Sequence, residues 1–144
     1  MFGTNGASRR MSISACSIIV AAQFISGCVA LTPEQEAQLN RDATQLVTCT
    51  KGEDCDVKWG RAITWISRNS QWKIQLQNDS MIQTYTPIGQ SASSGFLVNK
   101  VPQGNGVYEI TMTSACDNII GCIPDARELK ASFNRFVMGA SPQR

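Results

Sequence analysis

Two short segments of the chain repeat one cysteine spacing. "CTKGEDC" runs from Cys49 to Cys55 and "CDNIIGC" from Cys116 to Cys122, C-x5-C in both cases. Each loop holds a glycine, so each can turn back on itself. Four thiols in two places constrain a small chain strongly: either they cross-link it or they hold a metal ion. Structural zinc favours two to four residues between paired cysteines, so five fits poorly. Zinc-binding thiolates also persist best in a reducing compartment. Four cysteines allow three pairings. The two local ones are favoured, because neighbouring thiols meet first and the loops can reach. No C-x-x-C redox motif is present. The choice between staples and metal depends on the compartment, and the N-terminal region bears on that.

The first ten residues, "MFGTNGASRR", are mostly polar and end in Arg9 and Arg10, and no acidic residue precedes Glu34. The following run, "SISACSIIVAAQFIS", is apolar apart from small hydroxyls and Gln23. Its core covers residues 13–25, well short of the roughly 20 residues a helix needs to cross a bilayer. A basic stretch, a short apolar run and small residues at its end are the marks of a secretory signal peptide. Ser12, Ser14, Ser17 and Gln23 leave no clean charged face, which argues against a retained surface helix. The tetrad Ile25-Ser26-Gly27-Cys28, directly after the run, resembles a bacterial lipobox. That resemblance implies a diacylglycerol thioether on Cys28, cleavage ahead of it, and acylation of the new amino group. Residues 1–27 are then a lipoprotein signal peptide, and 28–31 a lipidated N-terminus and short tether. Val29 after Cys28, rather than Asp, points to the outer membrane. "SRRMSI" has the paired arginines of a twin-arginine signal but lacks the Phe-Leu that follows them there.

On this reading Cys16 leaves with the signal and Cys28 carries lipid. The even remainder, Cys49, Cys55, Cys116 and Cys122, reads as two disulfides in an exported domain. The charge balance agrees with no nucleic-acid role: the chain has 13 Lys+Arg and 11 Asp+Glu, and both cations of the excess, Arg9 and Arg10, lie in the signal.

The remaining length suits one small domain, expected over residues 32–139 with a flexible tail over 140–144. "TPEQEAQLNRDATQLV" opens with Thr32 as N-cap, Pro33 at the first helical position and Gln35 closing a capping box. Leu39, Ala43 and Leu46 recur at helical spacing. So short a tether should hold the folded body close to the bilayer. A second helix is expected from near Asp54 or Asp56, with Trp59, Ala62, Ile63 and Ile66 on one stripe and Trp65 beside it. A tryptophan pair could form a stacking platform, but both rings are better read as core or core edge. Four strands follow: "WKIQLQ" with Trp72, Ile74 and Leu76 on one face, "MIQTYT", "FLVNKV" and "VYEITMT". "NDS" and "PQGNG" are turns, and "PIGQSASSG" is expected to be a mobile loop. A last helix follows Pro124 and Asp125, with Ala126, Leu129, Phe133, Phe136 and Val137 on one face and Gly139 as its C-cap. The expected architecture is α+β: a small antiparallel four-stranded sheet, helices packed on one face, and two disulfides. "CDVKWGRAITWI", "FLVNKVP" and "CDNIIGCIPD" together resemble short, uncharacterised lipoproteins and exported proteins of proteobacteria, which implies an envelope location and no particular activity.

The chain contains no histidine. That removes Ser-His and Cys-His pairs, His-ligated zinc and imidazole acid/base chemistry. Ser70-Gln71-Trp72-Lys73 matches S-x-x-K formally, without the companion motifs of penicillin-binding proteins. Asn78-Asp79-Ser80 reads as a turn despite its sequon pattern. Asp54, Asp56 and Asp125 read as helix caps; Glu109 and Asp117 are the carboxylates left for a hydrolase, with nothing to pair them. No phosphate loop, EF-hand, cofactor motif or repeat is found. The sequence therefore points to a lipid-anchored, non-enzymatic envelope protein that binds or scaffolds an envelope partner. A periplasmic enzyme inhibitor or stress-response accessory, inserting "PIGQSASSG" or "PQGNG", is the alternative. A carboxylate-dependent cell-wall hydrolase is a third reading.

Overall fold

The computed structural model describes residues 30–140. The expected signal peptide, the lipobox-like tetrad ending in Cys28 and residues 141–144 of the expected tail lie outside the described residues. The elements run α1 (Pro33–Thr44), β1 (Thr48–Thr50), α2 (Glu53–Asn69), β2 (Ile74–Gln77), β3 (Met81–Thr84), β4 (Gly95–Gly104), β5 (Val107–Ala115) and α3 (Ala126–Met138).

The sheet has five strands rather than four, in the order β1-β5-β4-β3-β2, with every neighbouring pair antiparallel. The extra strand is "TCT", which lies against the free edge of β5 through Thr48↔Glu109, Cys49↔Tyr108 and Thr50↔Val107. Three residues are too few to show a period-two pattern, and only pairing with β5 makes them a strand. β4 and β5 form the long central hairpin. Gly104 pairs with Val107, leaving Asn105 (φ +50) and Gly106 (φ +75) as a two-residue turn. Positive φ at both positions is what a type I′ hairpin needs.

Two other expectations need correction. α1 stops at Thr44 instead of running on to Val47. Its last carbonyls are claimed from afar: Asn134 Nδ2 of α3 donates to Asp42 O (2.9 Å) and Gln45 O (3.0 Å). Gln45 is extended there, so Leu46 is turned out to 68% exposure and Val47 is buried. β2 begins at Ile74 rather than Trp72, and a register shift between Ile74 and Leu76 breaks the expected alternation, leaving Leu76 exposed. The Trp72 indole instead donates to Ser93 O at 3.2 Å.

One face of the sheet carries the core. Ile82, Phe96, Val98, Ile110 and Met112 face Trp59, Ala62, Trp65 and Ile66 of α2 and Leu129, Phe133 and Val137 of α3. Trp65 is central rather than flanking: its ring meets Phe96 and Phe133 edge-to-face, each at 5.4 Å between centroids. α1 packs against α3. The capping box forms as expected between Thr32 and Gln35, and Asp125 Oδ1 caps α3 by accepting from Glu128 N at 2.7 Å. Gly139 closes α3 at φ +86, a conformation that strains any residue with a Cβ.

α1 and α3 run parallel. Arg127 on the first turn of α3 pairs with Glu36 on the first turn of α1, and Arg135 pairs with Asp42 at 2.6 Å near both C-termini. Two ends of the body follow from this. The hairpin end holds Asn105-Gly106, the Asn78–Ser80 turn and the start of α2. The loop end holds the segment between β3 and β4, the Cys116–Cys122 loop, and the first turns of both α1 and α3.

Candidate functional site

Both cysteine pairs form the local bridges. Cys49–Cys55 joins Cα atoms 4.9 Å apart and Cys116–Cys122 joins Cα atoms 5.6 Å apart. The first bridge is buried and pins β1 to the opening turn of α2. Gly52, not an aspartate, occupies the N-cap of α2. Asp54 reaches back instead: its Oδ2 accepts from Thr50 N at 2.8 Å, and Lys58 Nζ sits 3.0 Å from Oδ1 while donating to Thr48 O at 2.8 Å. The Thr50 N–H bond first, and Lys58 second, hold the Asp54 carboxyl below its ordinary value. A depressed folded-state value stabilises the fold above the unfolded-state value and loses that contribution as pH falls through the folded one. NMR titration of the Asp54 side chain should therefore give a midpoint below the ordinary aspartate value of about 3.9. A midpoint at or above that value would mean the Thr50 bond is absent in solution.

Beside this bridge lies a shallow cavity of about 360 Å³, bordered by Lys51, Asp56, Asp79, Lys100 and Tyr108. Lys100 shares a sheet face with Phe96 and Val98 and reaches past the edge of the core. Its ammonium stands 5.0 Å from the Trp59 ring centroid and 5.9 Å from that of Tyr108. Trp59 is fixed from behind, its Nε1 donating to Asn78 O at 3.2 Å. Two cations and two carboxylates border the cavity, so it presents hydrogen-bonding and aromatic contact without a strong preference for one sign of charge.

The residues weighed for catalysis do not converge. Glu109 accepts from Gln103 Nε2 at 3.2 Å toward the hairpin end, and Asp117 accepts from Gln90 N at 3.1 Å at the loop end. Six strand residues along β5 alone separate them by roughly 20 Å, beyond the 5–9.5 Å or so of paired glycosidase carboxylates. Ser70 Oγ is engaged locally, donating to Trp72 O (2.8 Å) and accepting from Trp72 N (3.0 Å). Among the described residues no group of three His, Cys, Asp or Glu side chains is placed to hold a metal ion, and no helix is long and apolar enough to cross a membrane.

The second bridge closes a loop that is lashed to its neighbour. Asn118 Nδ2 donates to Gln90 O at 2.7 Å, Asp117 accepts from Gln90 N, and Ile123 N donates to Ala92 O at 2.9 Å. "PIGQSASSG", expected to be mobile, is thus tied down, and its end is tight: a Cβ on Gly95 would lie 2.7 Å from Pro87 Cδ. The joined loops turn four isoleucines outward, with exposures of 97% for Ile119, 92% for Ile120, 75% for Ile123 and 69% for Ile88. The sequence reading took residues 116–122 as a staple and Asp117 as a stray carboxylate, and did not single out the isoleucines. The signal was available: two adjacent isoleucines among the five residues enclosed by one bridge have no room to reach a core.

No protein-family model, curated protein or solved structure matches this chain. Its functional reading rests on its own residues.

Proposed function

We propose that this chain is a lipid-anchored cell-envelope protein, acylated at Cys28, facing the periplasm from the outer membrane, and acting without catalysis as a binding or scaffolding component. One observation carries the reading: Ile25-Ser26-Gly27-Cys28 falls between the end of the apolar run and the capped start of α1 at Thr32. A processing site between a signal and a folded body belongs there. Two disulfides support an oxidising compartment. The cavity beside Lys100 offers a partner surface at the hairpin end, away from Leu31. Several acyl chains make a firm anchor, each buried CH2 contributing about 0.8 kcal/mol.

The test is the intact mass of the membrane-fraction protein, alkylated without reduction. The expected mass is that of residues 28–144 plus acyl chains, with no alkylated thiol. A mass that retains residues 1–27, with thiols alkylated, overturns the anchor and the exported location together.

A further inference from the structure

We infer that the joined loops at residues 88–92 and 117–123 are a bilayer-contacting surface, whose isoleucines enter the boundary between headgroups and acyl chains beside the anchor. This rests on the reading of Cys28 as lipidated.

The first argument is exposure. Ile119 and Ile120 sit side by side at the loop tip, almost wholly in solvent, with Ile88 and Ile123 close to the hydrogen bonds that join the loops. Scattered apolar residues are ordinary on a soluble surface, whereas a grouped set marks a contact site.

The second argument is position. α1 and α3 are parallel and in register at their first turns through Arg127 and Glu36. The chain therefore enters the body at the end where α3 begins, four residues after Cys122. Leu31 is itself exposed and borders a shallow depression shared with Glu128 of α3. Cys28 is three residues before Leu31, a span of at most about 11 Å. An acyl chain on Cys28 thus brings this end of the body, and not the hairpin end, to the membrane.

The third argument is low cost. Residues 86–95 carry no charged side chain, and residues 117–124 carry only Asp117, whose carboxylate already accepts from Gln90 N. Little charge has to be desolvated on contact. The bridge and the three loop–loop hydrogen bonds hold the isoleucines outward beforehand, so contact orders little new backbone. Neither loop carries a basic residue, so attraction to anionic lipid is not required.

The test places one added tryptophan at a time, at Ile119 or Ile120 in the loop and, separately, at Gln103 on the hairpin end. Ile120→Trp, Ile119→Trp and Gln103→Trp alter exposed side chains, and each is made in the full chain, expressed with its anchor and reconstituted in phosphatidylcholine vesicles. Brominated acyl chains quench only indoles at their depth. With contact at a depth of about 5–10 Å, the emission added by Ile120→Trp or Ile119→Trp falls by roughly half, and that of Gln103→Trp is unchanged. Intact mass is measured on the same samples. Acylated protein without quenching at 119 and 120 overturns the inference and leaves the anchor standing. A blue-shifted but unquenched tryptophan there also overturns it and assigns the face to a protein, including a second copy of this chain. Quenching in protein that lacks acyl chains supports the surface and overturns the anchor.

Discussion

Phe133→Ala should lower the unfolding free energy by about 3–5 kcal/mol. Phe133 is fully buried and is the α3 member of three rings linked edge-to-face, Phe133–Trp65–Phe96, which join α3, α2 and β4. Truncation removes the apolar contact and leaves a cavity walled by a helix and a sheet that cannot collapse far. Part of the loss, about 0.5–1.5 kcal/mol, belongs to the edge-to-face contact itself. A double-mutant cycle with Trp65→Leu isolates that part. A domain of this size has about 5–15 kcal/mol of total stability, so the variant should fold only weakly at room temperature. Urea unfolding should show an earlier midpoint with little change in slope. A loss below about 1 kcal/mol would mean that the ring is not part of the core.

Removing the two disulfides should have unequal effects. Both bridges span the same sequence separation of six, and constraint of the unfolded chain alone assigns each about 2 kcal/mol. The Cys49–Cys55 bridge is also buried within the core cluster and ties edge strand β1 to α2. The Cys116–Cys122 bridge stands at the surface, where three hydrogen bonds to residues 90–92 help keep the loop shape. Cys49→Ala with Cys55→Ala should therefore lower stability by about 3–4 kcal/mol, and Cys116→Ala with Cys122→Ala by about 2. Urea unfolding of both double variants, compared with the oxidised protein, reads the difference. Equal losses, or the reverse order, would show that burial of the first bridge adds nothing.

The parts of this fold that are legible in the sequence are those decided within a few residues. The Thr32–Gln35 capping box, the Gly139 cap, the Asn105-Gly106 turn and the pairing of cysteines six apart all belong to this class. The features that were missed are decided at a distance. β1 exists because β5 offers a free edge nearly sixty residues later. α1 ends where it does because Asn134, 92 residues beyond Asp42, takes its carbonyls. The β2 bulge answers to the register of β3. The same division runs through the candidate sites. The cysteines announce themselves by spacing. The isoleucine surface depends on Asn118 and Asp117 meeting Gln90, contacts 27–28 residues apart that no local pattern contains.

The parallel pairing of α1 with α3 also sets how the body answers to force. Tension applied at Leu31 runs along the axis of α1, so Glu36–Arg127, Asp42–Arg135 and the Asn134 bonds are loaded side by side in shear and not unzipped one after another. Should the helix tear free, the pull passes through residues 45–47 to β1, a three-residue edge strand whose flanks are also bonded to the β4–β5 hairpin, Ile110 N donating to Val47 O and Lys51 N to Gly106 O. There it meets Cys49, covalently fastened to the first turn of α2. The bridge is a mechanical stop: the N-terminal segment can be drawn out as far as Cys49, and beyond that point the load falls on the core as a whole.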